Sequence, residues 1–146
     1  MNHITKLLRI ASLFHGLNEE QLERVAQLAQ EYRYNAREVI FNQNAPGDKM
    51  YIVGSGQVEI RVADEHGELH TALFLGQGQV FGEMALLDQG KRSATVIAAQ
   101  PNTMVYGIDG DALTALCQQD TSIGYVMMRN IALDLSFKIR HQNYGL

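Results

Sequence analysis

A single cysteine, Cys117, occurs in 146 residues, so an intrachain disulfide is excluded and the chain fits a reducing cytoplasm. No apolar run approaches the length that crosses a bilayer. The N-terminal stretch MNHITKLLRIASLFHGL carries Lys6 and Arg9 inside its apolar pattern, so it does not read as a signal peptide. An excess of basic charge is also missing. The net charge is −4, and nothing draws the molecule as a whole to nucleic acid. Only two prolines are present, and there is no Pro/Ser-rich linker, low-complexity tract or internal repeat. What remains is 46% hydrophobic and 19% charged. That composition and length fit one domain, residues 1–146, able to bury a core.

The hydrophobic pattern divides this domain into three parts. Residues 1–35 read as a helical segment: Ile4, Leu7, Leu8 and Ala11 recur at helical spacing. After a break at Gly16, Asn18 and Gln21 form a capping-box pattern. Leu22, Val25, Ala26, Leu28 and Ala29 then give a second helix its buried face, with the helical part ending near Tyr32–Asn35. Residues 36–108 read as short strands between turn residues. The runs are REVIF, MYIV, QVEIRVA, LHTALFL, ATVIAA and TMVYGI, with a hairpin turn at Gly67. In QVEIRVA, Val58, Ile60 and Val62 face one way and Gln57, Glu59 and Arg61 the other. Such strands argue for a small sandwich or barrel. Residues 109–146 read as a helix pair. Asp109 or Asp111 caps the first. Asp120, Thr121 or Ser122 caps the second, which runs to about Gln142 with Ile123, Val126, Met127, Ile131, Leu135 and Ile139 as its apolar stripe. The class is mainly β with flanking helices.

The chemistry concentrates in GQVFGEMALLDQGKRSATV, residues 78–96. Glycines at 76, 78 and 82 let backbone approach a ligand closely. GEMALL holds helix formers enough for one short turn, whose first N–H groups suit an anion. Arg92 adds a bidentate clamp for a phosphate, and the Ser93 hydroxyl one more bond. Glu83 would repel bare phosphate, so its presence implies a hydroxyl on the same ligand. A ribose hydroxyl beside a phosphate meets that need. The competing interpretation is a surface ion pair between Glu83 and Arg92 across a loop.

FGEMALLDQGKRSATV resembles the phosphate-binding cassette of the cyclic nucleotide-binding domain family, which includes the catabolite activator protein and protein kinase A regulatory subunits. Upstream, GDKMYIVGSGQVEI is similar to that family's stretch before the cassette. The resemblance implies an eight-stranded jelly roll with N-terminal helices and a C-terminal helix pair. It implies that Glu83 accepts the ribose 2′-hydroxyl and that Arg92 pairs with the cyclic phosphate. Gly82, Met84, Ala85 and Ala94 would face the ligand with backbone groups, and Ser93 with its hydroxyl. The final helix would act as a lid over the base, as a homodimer seam, or both. An ungapped match puts Asp134, Lys138 and Ile139 near the base, where the family's adenine contacts do not carry over.

The expected function is therefore a non-enzymatic, cytoplasmic receptor for cyclic AMP, with cyclic GMP also admitted. It would shift its C-terminal helix on binding and signal to a separate protein that the sequence does not name. No output domain, membrane insertion or nucleic-acid partner is expected. Two alternatives stand beside it. One is an interaction module of the same fold without ligand, against which the intact Glu83 and Arg92 argue. The other is a cupin-type metal enzyme, for which the five histidines at 3, 15, 66, 70 and 141 supply no His-x-His set. His66 and His70 are spaced i, i+4, yet the hairpin around Gly67 denies them the helix a metal motif needs. Cys117 reads as core, and no metal ligand or catalytic residue is expected.

Overall fold

A computed structural model describes residues 2–141. Two helices, α1 (His3–Ile10) and α2 (Glu19–Ala26), open the chain. Eight strands follow: β1 (Ala29–Tyr34), β2 (Val39–Phe41), β3 (Lys49–Ser55), β4 (Val58–Ala63), β5 (Leu69–Leu75), β6 (Val80–Phe81), β7 (Thr95–Ala98) and β8 (Thr103–Asp109). Helices α3 (Gly110–Gln119) and α4 (Thr121–Arg140) close it. The strands form two four-stranded antiparallel sheets, ordered β1-β8-β3-β6 and β2-β7-β4-β5. This is the jelly roll with flanking helices that the sequence led us to expect.

The run MYIV shows why β3 sits at the centre. Successive strand residues point to opposite faces. Met50 and Ile52 enter one cluster with Leu8, Leu113, Ile123 and Met127 from the helices and Phe14 from the 3₁₀ turn Ser12–Phe14 between α1 and α2. Tyr51 and Val53 enter a second cluster with Val58, Phe81, Val96 and Val105 between the sheets. A strand covered on both faces carries no alternation, so its apolar residues are continuous. Gly107 on β8 makes room inside the roll. A Cβ there would lie 2.7 Å from Tyr32 Cε2 and 3.2 Å from Tyr51 Cε1.

Two sequence expectations are corrected. Residues 29–34 are strand, not the tail of a helix. Helix α2 stops at Ala26, and β1 pairs with β8 from Ala29↔Ile108 to Tyr34↔Thr103. Leu28 and Ala29 do face the core, but from a turn and a strand start; the sheet partner overrides a weak helical spacing. Strand β6 was not foreseen, because two residues cannot show a period. Glu59, on the Gln57–Glu59–Arg61 face of β4, is only 9% exposed; Arg61 Nε donates to it at 2.7 Å and the Thr71 hydroxyl also donates to it. These bonds, Arg61's first, hold its carboxyl below the usual range despite burial.

Helix ends follow side-chain chemistry. Asn18 and Gln21 close a reciprocal capping box on α2. Asp109, not Asp111, caps α3. Asp120 alone separates α3 from α4; its Oδ1 accepts from the Ser122 and Ile123 N–H groups at 3.0 and 3.4 Å, and its Oδ2 takes Arg24 Nη1 of α2 at 2.8 Å. One carboxylate thus pins the joint of the C-terminal helices to the N-terminal ones. Asp120→Ala is expected to lower the unfolding free energy by about 1–2 kcal/mol, as a lost cap plus a half-exposed ion pair. Asp111→Ala should change it by less than about 0.5 kcal/mol. Urea unfolding with an unchanged slope checks both. The described part of α4 ends at Arg140, and Gln142 lies outside the described residues. Along α4, Ile123, Met127 and Ile131 are buried, while Ile139 is 46% exposed and leaves the expected stripe.

Candidate functional site

The chain leaves β6 through Gly82, which adopts the left-handed conformation at φ 74°, and enters a short 3₁₀ turn, Glu83–Leu86. Leu86 is buried in the helix-side cluster, and Ala85 is 4% exposed. These two anchors fix the turn to the core. The following loop is tied to the segment before β3. Arg92 N–H donates to Ala45 O and Asn44 N–H to Arg92 O, both at 2.8 Å, and Gly47 N–H donates to Gly90 O at 3.0 Å.

This double tie places Arg92 in a buried slot, 6% exposed. Its Nη2 donates to Lys49 O at 2.7 Å and its Nη1 to Gly82 O at 3.3 Å. The guanidinium carbon lies 4.0 Å from the centre of the Phe41 ring. Among the described residues, the carboxylate paired with it is that of Asp48, at 3.8 Å. The Arg92 Nε is buried and has no hydrogen-bond partner among the described residues. Burial pulls the guanidinium below its usual range, while Tyr51 and Asp48 act in the opposite direction. The surface ion pair between Glu83 and Arg92 is therefore not what the structure holds.

Glu83 faces another way. With Met84 it lines a cavity of about 690 Å³ between the start of the 3₁₀ turn, the β5–β6 connection, the end of α1 and the C-terminal half of α4. Asp134 and Lys138 of α4 line the same cavity. Their side chains are paired at 2.8 Å. The bond to Asp134, with Glu83 adding to it, raises the Lys138 ammonium above its usual range. The volume lies within the range of small-molecule pockets. Of the residues expected near a base, Asp134 and Lys138 lie on this cavity, and Ile139 is not among its lining.

Gly82 and Arg92 are thus in direct contact, while Glu83 and Met84 line the cavity and Gly82, Ala85, Arg92, Ser93 and Ala94 are not among its lining. Lys91 and Ser93 are exposed, and Ala94 is half-buried. Sequence reasoning missed Phe41 and the carbonyl of Lys49. Phe41 had no signal beyond its place at the end of a strand, and a backbone carbonyl has no signature at all. The arrangement can hold an anion at a buried guanidinium and a hydroxyl at Glu83.

Two side features resolve into structure. Asp64, Glu68 and His70 bring donor atoms within 4.8 Å of one another on the β4–β5 hairpin. Asp64 already accepts from the His66 and Glu68 N–H groups and lies 2.6 Å from His70 Nε2, which closes the turn. Cys117 is half-buried, 3.9 Å from the Met127 sulfur. Burial and then the Asp120 charge push its thiol up, in keeping with a packing role. No helix among the described residues is long and apolar enough to cross a membrane.

Comparison with known proteins adds to this geometry. The family model described as "Cyclic nucleotide-binding domain" matches residues 31–120. The chain is 37% identical over 93 residues to the "Cyclic AMP receptor protein" of Thermus thermophilus, covering 64% of this chain and 43% of that protein. It is 31% identical over 116 residues to the "cGMP-dependent protein kinase egl-4" of Caenorhabditis briggsae, covering 79% of this chain and 16% of the kinase. Among solved structures, the regulatory domain of Toxoplasma gondii PKA with cAMP superposes with a TM-score of 0.72 at 29% identity, over 77% of this chain and 42% of that one. The chain spans less than half the length of each of these three proteins.

Proposed function

The chain belongs to the cyclic nucleotide-binding domain family, and from that premise we propose that it is a non-enzymatic, cytoplasmic receptor for cyclic AMP that moves α4 on binding and so signals to a separate protein. The observation that carries this reading is Arg92, a buried guanidinium whose Nε has no hydrogen-bond partner among the described residues. A buried charged donor left unpaired is costly, and a phosphate oxygen would complete its set of bonds. The same observation argues against an interaction module without ligand, where nothing would offset that cost.

In this proposal Arg92 binds the cyclic phosphate, and Glu83 accepts the ribose 2′-hydroxyl from its place on the cavity wall. Gly82, Met84, Ala85 and Ala94 present backbone groups, and Ser93 its hydroxyl. The cavity beneath α4 takes the base. Cyclic AMP is preferred over cyclic GMP on the strength of Ser93 and of the two similar proteins named for cyclic AMP, with the similar cGMP-dependent kinase pointing the other way. Helix α4 also exposes Tyr125, Leu133 and Phe137 at 68%, 52% and 60%, and a seam with a second copy along it is part of the proposal.

Calorimetry with cyclic AMP, cyclic GMP and 5′-AMP tests it. The expected result is binding of cyclic AMP, weaker binding of cyclic GMP, and much weaker binding of 5′-AMP, whose open phosphate carries charge and bulk that a compact cyclic phosphate does not. Protein freed of any co-purified nucleotide that gives no heat with either cyclic nucleotide at high micromolar concentration contradicts the reading.

A further inference from the structure

We propose that Phe41 is the positioning residue that holds Arg92 aimed while the site waits for its anion. Phe41 ends β2, on the sheet opposite β3, and its ring is tilted against Tyr51 and Phe81 with centroids 5.9 Å away in each case. Tyr51 and Phe81 stack on one another at 5.1 Å. The ring is thus packed against two aromatic neighbours, and the guanidinium carbon of Arg92 lies over it, 4.0 Å from its centre. Tyr51 lies farther from that carbon, at 5.9 Å.

The need for such a shelf follows from the other partners. Arginine has a long side chain with several free torsions, and confining it opposes folding entropy. Asp48, the only carboxylate paired with Arg92 among the described residues, stands at 3.8 Å, and its own side chain is 66% exposed. That is a weak tether. The Lys49 and Gly82 carbonyls hold the two Nη atoms within the guanidinium plane. Neither stops the group from rocking out of that plane. A ring face does, because a cation over an aromatic quadrupole is attracted normal to the ring. Phe41 therefore supplies the one restraint the hydrogen bonds cannot, and it leaves Nε without a hydrogen-bond partner among the described residues. The ligand's identity rests on the reading above; the positioning itself does not.

The test uses the whole chain with Phe41→Leu and Phe41→Tyr, and Phe41→Met where leucine unfolds the protein. In ligand-free protein labelled with ¹⁵N, the Arg92 Nε–H signal is expected to exchange slowly with water. Phe41→Leu should speed that exchange markedly, and Phe41→Tyr, which keeps the ring face, should preserve it. Calorimetry with cyclic AMP should show binding about tenfold weaker in Phe41→Leu, the scale of a desolvated cation–π contact, and about unchanged in Phe41→Tyr. Unchanged Nε–H exchange in Phe41→Leu, or an affinity equal to that of the original protein, overturns the inference. If the original protein binds no cyclic nucleotide while Phe41→Leu still frees the Nε–H, the proposed function fails and the positioning role stands.

Discussion

Arg92→Ala is expected to weaken cyclic AMP binding by roughly thirty-fold to a few thousand-fold, the equivalent of about 2–5 kcal/mol for truncating one partner of a buried charge pair. Its neighbour Lys91 is exposed on the loop, and Lys91→Ala should change affinity by less than about twofold. The contrast follows from solvent. Arg92 is withdrawn from water before any ligand arrives, so the phosphate meets a charge whose desolvation folding has already met. Lys91 keeps its water and acts through a screened field. Arg92→Ala also frees the Lys49 and Gly82 carbonyls, so its thermal midpoint belongs beside its affinity. A midpoint within a few degrees of the original, together with lost binding, assigns the loss to the site. Equal effects of the two substitutions would restore the surface ion-pair interpretation.

Gly82→Ala is the second large effect. Gly82 has φ 74°, a conformation that costs an L-residue about 1–2 kcal/mol. An added Cβ would sit 2.7 Å from Arg92 Nη1 and 3.3 Å from Lys49 O. The backbone carbonyl cannot move far, so the guanidinium must. Binding should fall roughly ten- to a hundred-fold, with stability lowered by about 1–2 kcal/mol. Gly67→Ala on the distant β4–β5 hairpin is the control, since Gly67 also has positive φ, at 81°, but a Cβ there meets nothing within 4 Å. Titration calorimetry and urea unfolding on both variants give the comparison. A Gly82→Ala protein that binds as tightly as the original would show that Arg92 does not need its present slot.

Several elements were legible because their signals are local. The capping box at Asn18 and Gln21 and the hairpin at Gly67 need only neighbours in sequence. The candidate site was legible for the same reason, with its carboxylate, guanidinium and small residues lying between Gly82 and Ala94. The parts that were missed depend on distant partners. Leu28 and Ala29 continue a helical spacing, and only pairing with β8 makes the next residues a strand. The Arg92 slot is closed by Phe41 and by the carbonyl of Lys49, both more than 40 residues away. The separation of Glu83 from Arg92 follows the left-handed turn at Gly82. Sequence shows that a glycine is there, and only the fold shows which way it sends the chain.

Hydrogen exchange across the whole chain, with and without saturating cyclic AMP, tests the central claim most directly, because it reads binding and switching together. A ligand can shift α4 only by as much as it binds one helix position better than another. In the proposed function the cassette would supply the binding, and the cavity lined by Glu83, Asp134 and Lys138 would supply the contact through which α4 responds. The account requires added protection in two places, residues 82–94 and the part of α4 after Thr121. Protection confined to residues 82–94 would make the protein a nucleotide buffer or carrier. No change in either place at saturating nucleotide would contradict the account altogether.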